Sequence, residues 1–143
     1  MGYKSIREIV ESAAVTHLGN QGLTGVQIVA GVSAAVNTLP IVVATVDSVS
    51  DIPEIAQGLG NFRCTLTVMV VTETDEANSA SVHRERSEKV MSAFQDETGL
   101  KAVFTAAGDA SMYSCDFKSL EDGRGERTFG TSYTYEVKAV LAP

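Results

Sequence analysis

The sequence predicts an α+β fold: a central, mainly antiparallel sheet with two principal helices packed on it. Three observations carry that prediction. The chain reads helix, strands, helix, strands, with strands in runs rather than in strict alternation with helices. Residues Asn61 to Thr72 alternate for about ten positions, with Phe62, Cys64, Leu66, Val68 and Val70 on one face and Arg63, Thr65, Thr67 and Met69 on the other. A second long run, Thr128 to Leu141, sets Phe129, Thr131, Tyr133, Tyr135, Val137, Ala139 and Leu141 against Gly130, Ser132, Thr134, Glu136 and Lys138. Strands with one apolar face are the mark of an antiparallel sheet covered on one side.

The first element is a helix from Tyr3 to His17. Ile6, Ile9, Val10, Ala13, Ala14 and Leu18 recur every three or four residues, and Arg7, Glu8 and Glu11 fall opposite. Gly19-Asn20-Gln21-Gly22 ends it with residues that tolerate left-handed backbone, and His17 suits the negative end of the helix dipole. Val26 to Val32 and Thr38 to Asp47 read as two β segments. The second is rich in β-branched residues, and Pro40, which has no N–H, belongs at its start or on an edge. Ser48 to Gly60 then reads as an exposed loop around Pro53.

Beyond the long strand, a helix is expected from Ala77 to Glu97, with Val82, Val90, Met91, Ala93 and Phe94 as its apolar stripe and Gly99 as its end. On it, His83 falls within a charged, solvated stretch, in which Arg84–Glu88 and Glu85–Lys89 are i,i+4 pairs. Leu100 to Ala107 is left without an assigned element. A strand near Ser111 to Leu120 follows, then Glu121 to Arg127 as a charged, Gly-containing hairpin loop before the last strand.

At 143 residues and 44% apolar content, one domain with a single core spanning 1–143 is expected. No window approaches the roughly 18 apolar residues of a membrane span. The N-terminus lacks the apolar segment of a signal peptide, and Ile6 stands where N-myristoylation prefers Ser or Thr, so a cytosolic product, or one released from a cytosol, is expected. A net charge of −7 without a basic cluster argues against gripping a phosphate backbone.

The chemistry-bearing residues are sparse. Cys64 is in phase with Phe62 and Leu66 and reads as a core residue, with no disulfide to Cys115 expected. Two cysteines and two histidines without metal-ligand spacing predict no metal site. Phosphate-loop, dinucleotide and nucleophile-elbow motifs are missing, and the acidic pairs Asp75–Glu76 and Glu121–Asp122 sit in polar connectors that would not raise a carboxyl pKa. No cofactor is predicted and no catalysis. What remains is surface: Asp51 and Glu54 in one loop, and Glu121, Asp122, Arg124, Glu126 and Arg127 in the other, are the candidate subunit or partner contacts.

In Thr38 to Val43, Gly58 to Val68, His83 and the second helix, the chain resembles the small neck and tail-completion proteins of tailed bacteriophages, and among them the tail terminators. The resemblance runs from the first helix to the final strand and lies in element order and texture, without a diagnostic motif. It implies an α+β subunit in a hexameric homo-oligomeric ring on the last ring of tail-tube protein. Such a ring stops tube polymerisation, offers a surface to the head–tail connector or neck proteins, and lets genomic DNA pass through its lumen without specific binding. The location it implies is the virion tail or neck, assembled in the host cytoplasm, with no membrane partner. Two alternatives stay open: a head-completion protein on the portal side, and a small ligand-binding or enzymatic α+β domain with a pocket between helix and sheet.

Overall fold

The computed structural model describes residues 5–31, 40–51, 61–74, 79–125 and 127–141, with Asp51 described by its backbone alone. Within them the chain runs α1 (Ile6–Gly19), β1 (Gln27–Ala30), β2 (Ile41–Asp51), β3 (Asn61–Glu73), α2 (Ser79–Gln95), α3 (Glu97–Ala107), β4 (Ala110–Arg124) and β5 (Thr128–Leu141). The five strands form one sheet in the order β1-β2-β3-β5-β4. Only the β1–β2 pair is parallel; the other three are antiparallel. The fold is α+β, as expected, with three helices rather than two principal ones.

Side-chain alternation decides which face of the sheet is dry. Val42, Ala44 and Val46 of β2, Cys64, Leu66, Val68 and Val70 of β3, and Tyr133, Tyr135, Val137 and Ala139 of β5 are all buried. They form one core cluster with Ile9, Val10, Ala13, Ala14 and Leu18 of α1, Val90 and Phe94 of α2, and Leu100 and Phe104 of α3. α1 lies over β1, β2 and β3, α2 over β3 and β5, and α3 against α1 and the start of β4. The opposite face carries the polar set, where Arg63, Lys138 and Lys118 stand 3.6, 3.8 and 3.9 Å from one carboxylate, Glu136. Exposed ion pairs of this kind each add little stability.

Several boundaries differ from the sequence reading, each for a local reason. Ser48 to Asp51 belong to β2 rather than to a loop, because β2 bulges at Asp47 and then continues pairing down to Asp51 opposite Phe62. Past the end of β1, the Val46 N–H is taken by the Glu11 carboxylate at 2.7 Å, so Glu11 is a partly buried tie between α1 and the sheet, not a solvated residue. Gly99 does not end a helix. Asp96 starts α3 by accepting the Gly99 N–H at 3.0 Å, and a Cβ on Gly99 would collide with that carboxylate. The stop is Gly108, in left-handed backbone at φ 78°. Glu121, Asp122 and Arg124 lie in β4, opposite Ser132, Thr131 and Phe129, so the connection is shorter than a loop from Glu121 to Arg127.

The two histidines also depart from expectation. His17 is in the last turn of α1 as predicted, but it is buried, and its Nε2 lies 2.6 Å from the Ala93 carbonyl of α2. A carbonyl only accepts, so Nε2 carries the proton and the ring ties two helices together. His83 is buried as well, not on a solvated face; α2 turns it toward the sheet in the row His83, Ser87, Val90, Phe94.

Candidate functional site

Among the described residues the most elaborate polar arrangement lies where α2 crosses β3 and β5, beside the end of β4, and His83 is its centre. Thr72 of β3 and Thr131 of β5 are buried hydroxyls on the helix side of the sheet. The Thr72 Oγ1 is 2.9 Å from His83 Nδ1, and the Thr131 Oγ1 is 2.8 Å from His83 Nε2. Thr131 donates to Asp122 Oδ1 at 2.8 Å, and Arg86 donates to Thr72 Oγ1 at 3.3 Å.

The two ends fix the direction of every proton in this chain. A guanidinium only donates and a carboxylate only accepts. Because Thr131 gives its proton to Asp122, its oxygen receives the His83 Nε2–H; the neutral ring then accepts at Nδ1 from the Thr72 hydroxyl, which accepts from Arg86. The sequence Arg86, Thr72, His83, Thr131, Asp122 is thus a one-directional relay of hydrogen bonds through a neutral imidazole. Burial holds the His83 pKa below its usual 6.5; Asp122 opposes that shift and Arg86 adds to it. The ring's protonation state and the hydrogen-bond directions agree.

Around the relay the side chains form a stack. Phe129 lies on the His83 ring at 5.8 Å and 29°, and the Arg124 guanidinium lies 5.1 Å from the centre of Phe129. Tyr133 donates its hydroxyl to the Ser87 carbonyl at 2.8 Å, a second strut between β5 and α2. Beside these lies a groove of about 560 Å³, with Met91, Leu120 and Tyr133 among its apolar walls and Arg84, Glu88 and Arg124 among its charges.

Both ring nitrogens of His83 are held by hydroxyls, which braces α2 against the sheet. A nucleophile needs a free base beside it, but the His83 Nε2 is committed to Thr131, and Ser87 Oγ is 3.5 Å away, at the limit of hydrogen bonding. His83 Nδ1 meets a hydroxyl, not an orienting carboxylate. Cys64 and Cys115 are buried, with burial pushing their thiols up to about 11 and about 12. Among the described residues there is no group of three metal-ligating side chains and no helix long and apolar enough to cross a membrane. A second groove of about 580 Å³ between α1 and α3 is walled by Ile9, Ala13, Ala102, Val103 and Phe104, with Ser12, Thr16, Asn20 and Asp109 as its polar groups.

The predicted contact residues fall into two sets. Glu121, Asp122, Arg124 and Arg127 are exposed at the hairpin end of the sheet, and Asp122 and Arg124 join the His83 site. Arg127 also receives the Thr74 N–H on its carbonyl at 2.9 Å. Asp51 ends β2, remote in sequence pairing from the hairpin, and Glu54 and Glu126 lie outside the described residues. Sequence reasoning missed His83, Thr72 and Thr131. The signal was present in part: His83, Ser87, Val90 and Phe94 share one helical row, whereas the charged neighbours Arg84, Glu85 and Glu88 point elsewhere.

The chain matches no protein-family model, and comparison with curated proteins finds no match.

Proposed function

We propose that this protein is a non-enzymatic structural subunit of a tailed-phage virion, a tail terminator that acts as a hexameric ring. The ring caps the tail tube, ends its polymerisation, and presents its other side to the head connector or neck proteins. The observation that carries this reading is the hairpin. β4 is an edge strand whose residues Asp116 to Arg124 are all exposed, and Phe117 and Leu120 stand 47% and 42% exposed on its helix side. Large apolar side chains on an open sheet edge are a hazard in a lone monomer and a resource in an assembly.

The brace supports the same reading. It uses its buried polar groups to fix the hairpin to α2, which keeps an exposed contact surface in one geometry before assembly. The net charge of −7 suits a lumen through which DNA slides without being held.

The test is to polymerise the cognate tail-tube protein with and without this protein and measure tube lengths by negative-stain electron microscopy. Shorter tubes bearing a ring of density at one end are expected. Tubes of unchanged length with bare ends would overturn the terminator role, and binding to the portal instead would move the protein to the head side of the joint.

A further inference from the structure

The outer edge of β4 fits one partner of definite chemistry, a second copy of itself. Three features of the strand bear on this. The run from Asp116 to Arg124 is exposed and lies at the end of the sheet, so among the described residues one side of its backbone has no strand beside it. The strand is bulged at Lys118, between Phe117 and Ser119, which puts Lys118 on the open face, 3.9 Å from Glu136. Glu121 is on that same face, opposite Ser132, whereas Phe117 and Leu120 pair with Tyr135 and Tyr133 on the helix side.

Three registers about the exposed end of the strand can be compared. An antiparallel pair of identical strands turns about a twofold axis normal to the sheet, which brings each residue opposite a counterpart on the same face. An axis through Glu121 or Asp122 sets two carboxylates face to face, which is destabilising. An axis through Leu120 does the reverse. It sets Leu120 against its own copy on the helix side, with Phe117 nearby, and Ser119 against Glu121 on the open face. The bulged Lys118, next to Ser119, then lies beside the partner's Glu121, twice by symmetry.

We propose that two copies of this chain join along β4 in this register, making one continuous ten-stranded sheet with Leu120 on the twofold. The contact is an isologous one that closes at two copies and covers the same β4 edge that the ring reading uses for assembly, so it describes the free protein before it meets the tube and must open for the ring to form. Its area is that of one strand edge and two apolar side chains per copy, which makes it a weak, concentration-dependent dimer.

The experiment is sedimentation equilibrium of the full chain across a range of concentrations without tube protein, with circular dichroism as the check on folding. The wild type is expected to move from one copy to two. Lys118→Glu sets like charges together at two places and should raise the dissociation constant about tenfold. The double variant Lys118→Glu/Glu121→Lys exchanges the partners and should restore the dimer. Leu120→Cys should give a disulfide-linked dimer under mild oxidation, because directly opposed residues of antiparallel strands stand close enough for the bond. A wild type that stays monomeric at all concentrations overturns the proposal, as does a dimer indifferent to Lys118→Glu or a Leu120→Cys chain that does not cross-link. The free mass of the wild type without tube protein tests the dimer and the length of tubes grown with the wild type tests capping, so the two proposals fail separately.

Discussion

Thr131→Val tests the brace, because it removes one hydroxyl and almost no volume. Thr131 is 4% exposed and supplies the acceptor for His83 Nε2–H and the donor for Asp122. Asp122 is exposed and regains water when the hydroxyl is lost, so its loss costs little. His83 is buried, and its N–H keeps only Ser87 Oγ at 3.5 Å. An unsatisfied buried donor costs about 1–3 kcal/mol, and the buried methyl gained returns up to about 0.8 kcal/mol, so a net loss of about 1–2 kcal/mol is expected. For a chain of this size that is a fall in melting temperature of about 3–6 °C, read by calorimetry at pH 7.5. Asp122→Asn keeps an accepting oxygen and should stay within about 0.5 kcal/mol of wild type. Combining Thr72→Val with Thr131→Val should cost less than the sum, since both act through one ring. A Thr131→Val protein as stable as wild type, or strict additivity in the double variant, would refute the relay.

Three further outcomes follow from the same structure. His83 is held neutral with its pKa below the unfolded value of 6.5, so its contribution to stability is complete above that pH and is lost as pH falls from 6.5 through the folded pKa; His83→Gln should flatten denaturant stability over that acidic window, and an unchanged slope would exclude His83 as the titrating group. Leu66, 1% exposed in the centre of β3, should not tolerate Asp, because the charge would be buried unpaired; soluble, folded Leu66→Asp protein would contradict the face assignment of the sheet. Cys64 and Cys115, buried and with thiols raised to about 11 and about 12, should resist a thiol reagent at pH 8 until denaturant is added, and rapid labelling of the native protein would show those strands to open.

The parts of the fold that were legible from sequence are those where burial and alternation coincide. β5 and the centre of β3 bury every second side chain with no bulge, so the period of two survives intact. β2 lost its tail in the reading because the bulge at Asp47 and the residues after it break the apolar alternation, while pairing with β3 holds the strand together. The end of β4 was hidden for a related reason. Glu121, Asp122 and Gly123 carry turn chemistry locally, and only the fourteen-residue partner β5 makes them a strand. α3 was obscured by Gly99, which suggests a helix end until Asp96 is seen lying where its Cβ would be.

The candidate site was less legible than the fold. His83 sits among charged neighbours that describe the outer face of α2, and the partners that bury it, Thr72 and Thr131, lie 11 and 48 residues away. No local pattern links them; strand pairing does. The exposed hairpin charges Glu121, Asp122, Arg124 and Arg127 were found because exposure follows composition, but the link from Asp122 and Arg124 to the imidazole exists only in three dimensions.

The most direct test of the ring assembly is the mass of the protein in solution, by light scattering on a sizing column, alone and after incubation with tail-tube protein. A ring-sized species of about six copies, free or formed only on tubes, is the result expected. A protein that remains one or two copies and ignores the tubes would contradict the account.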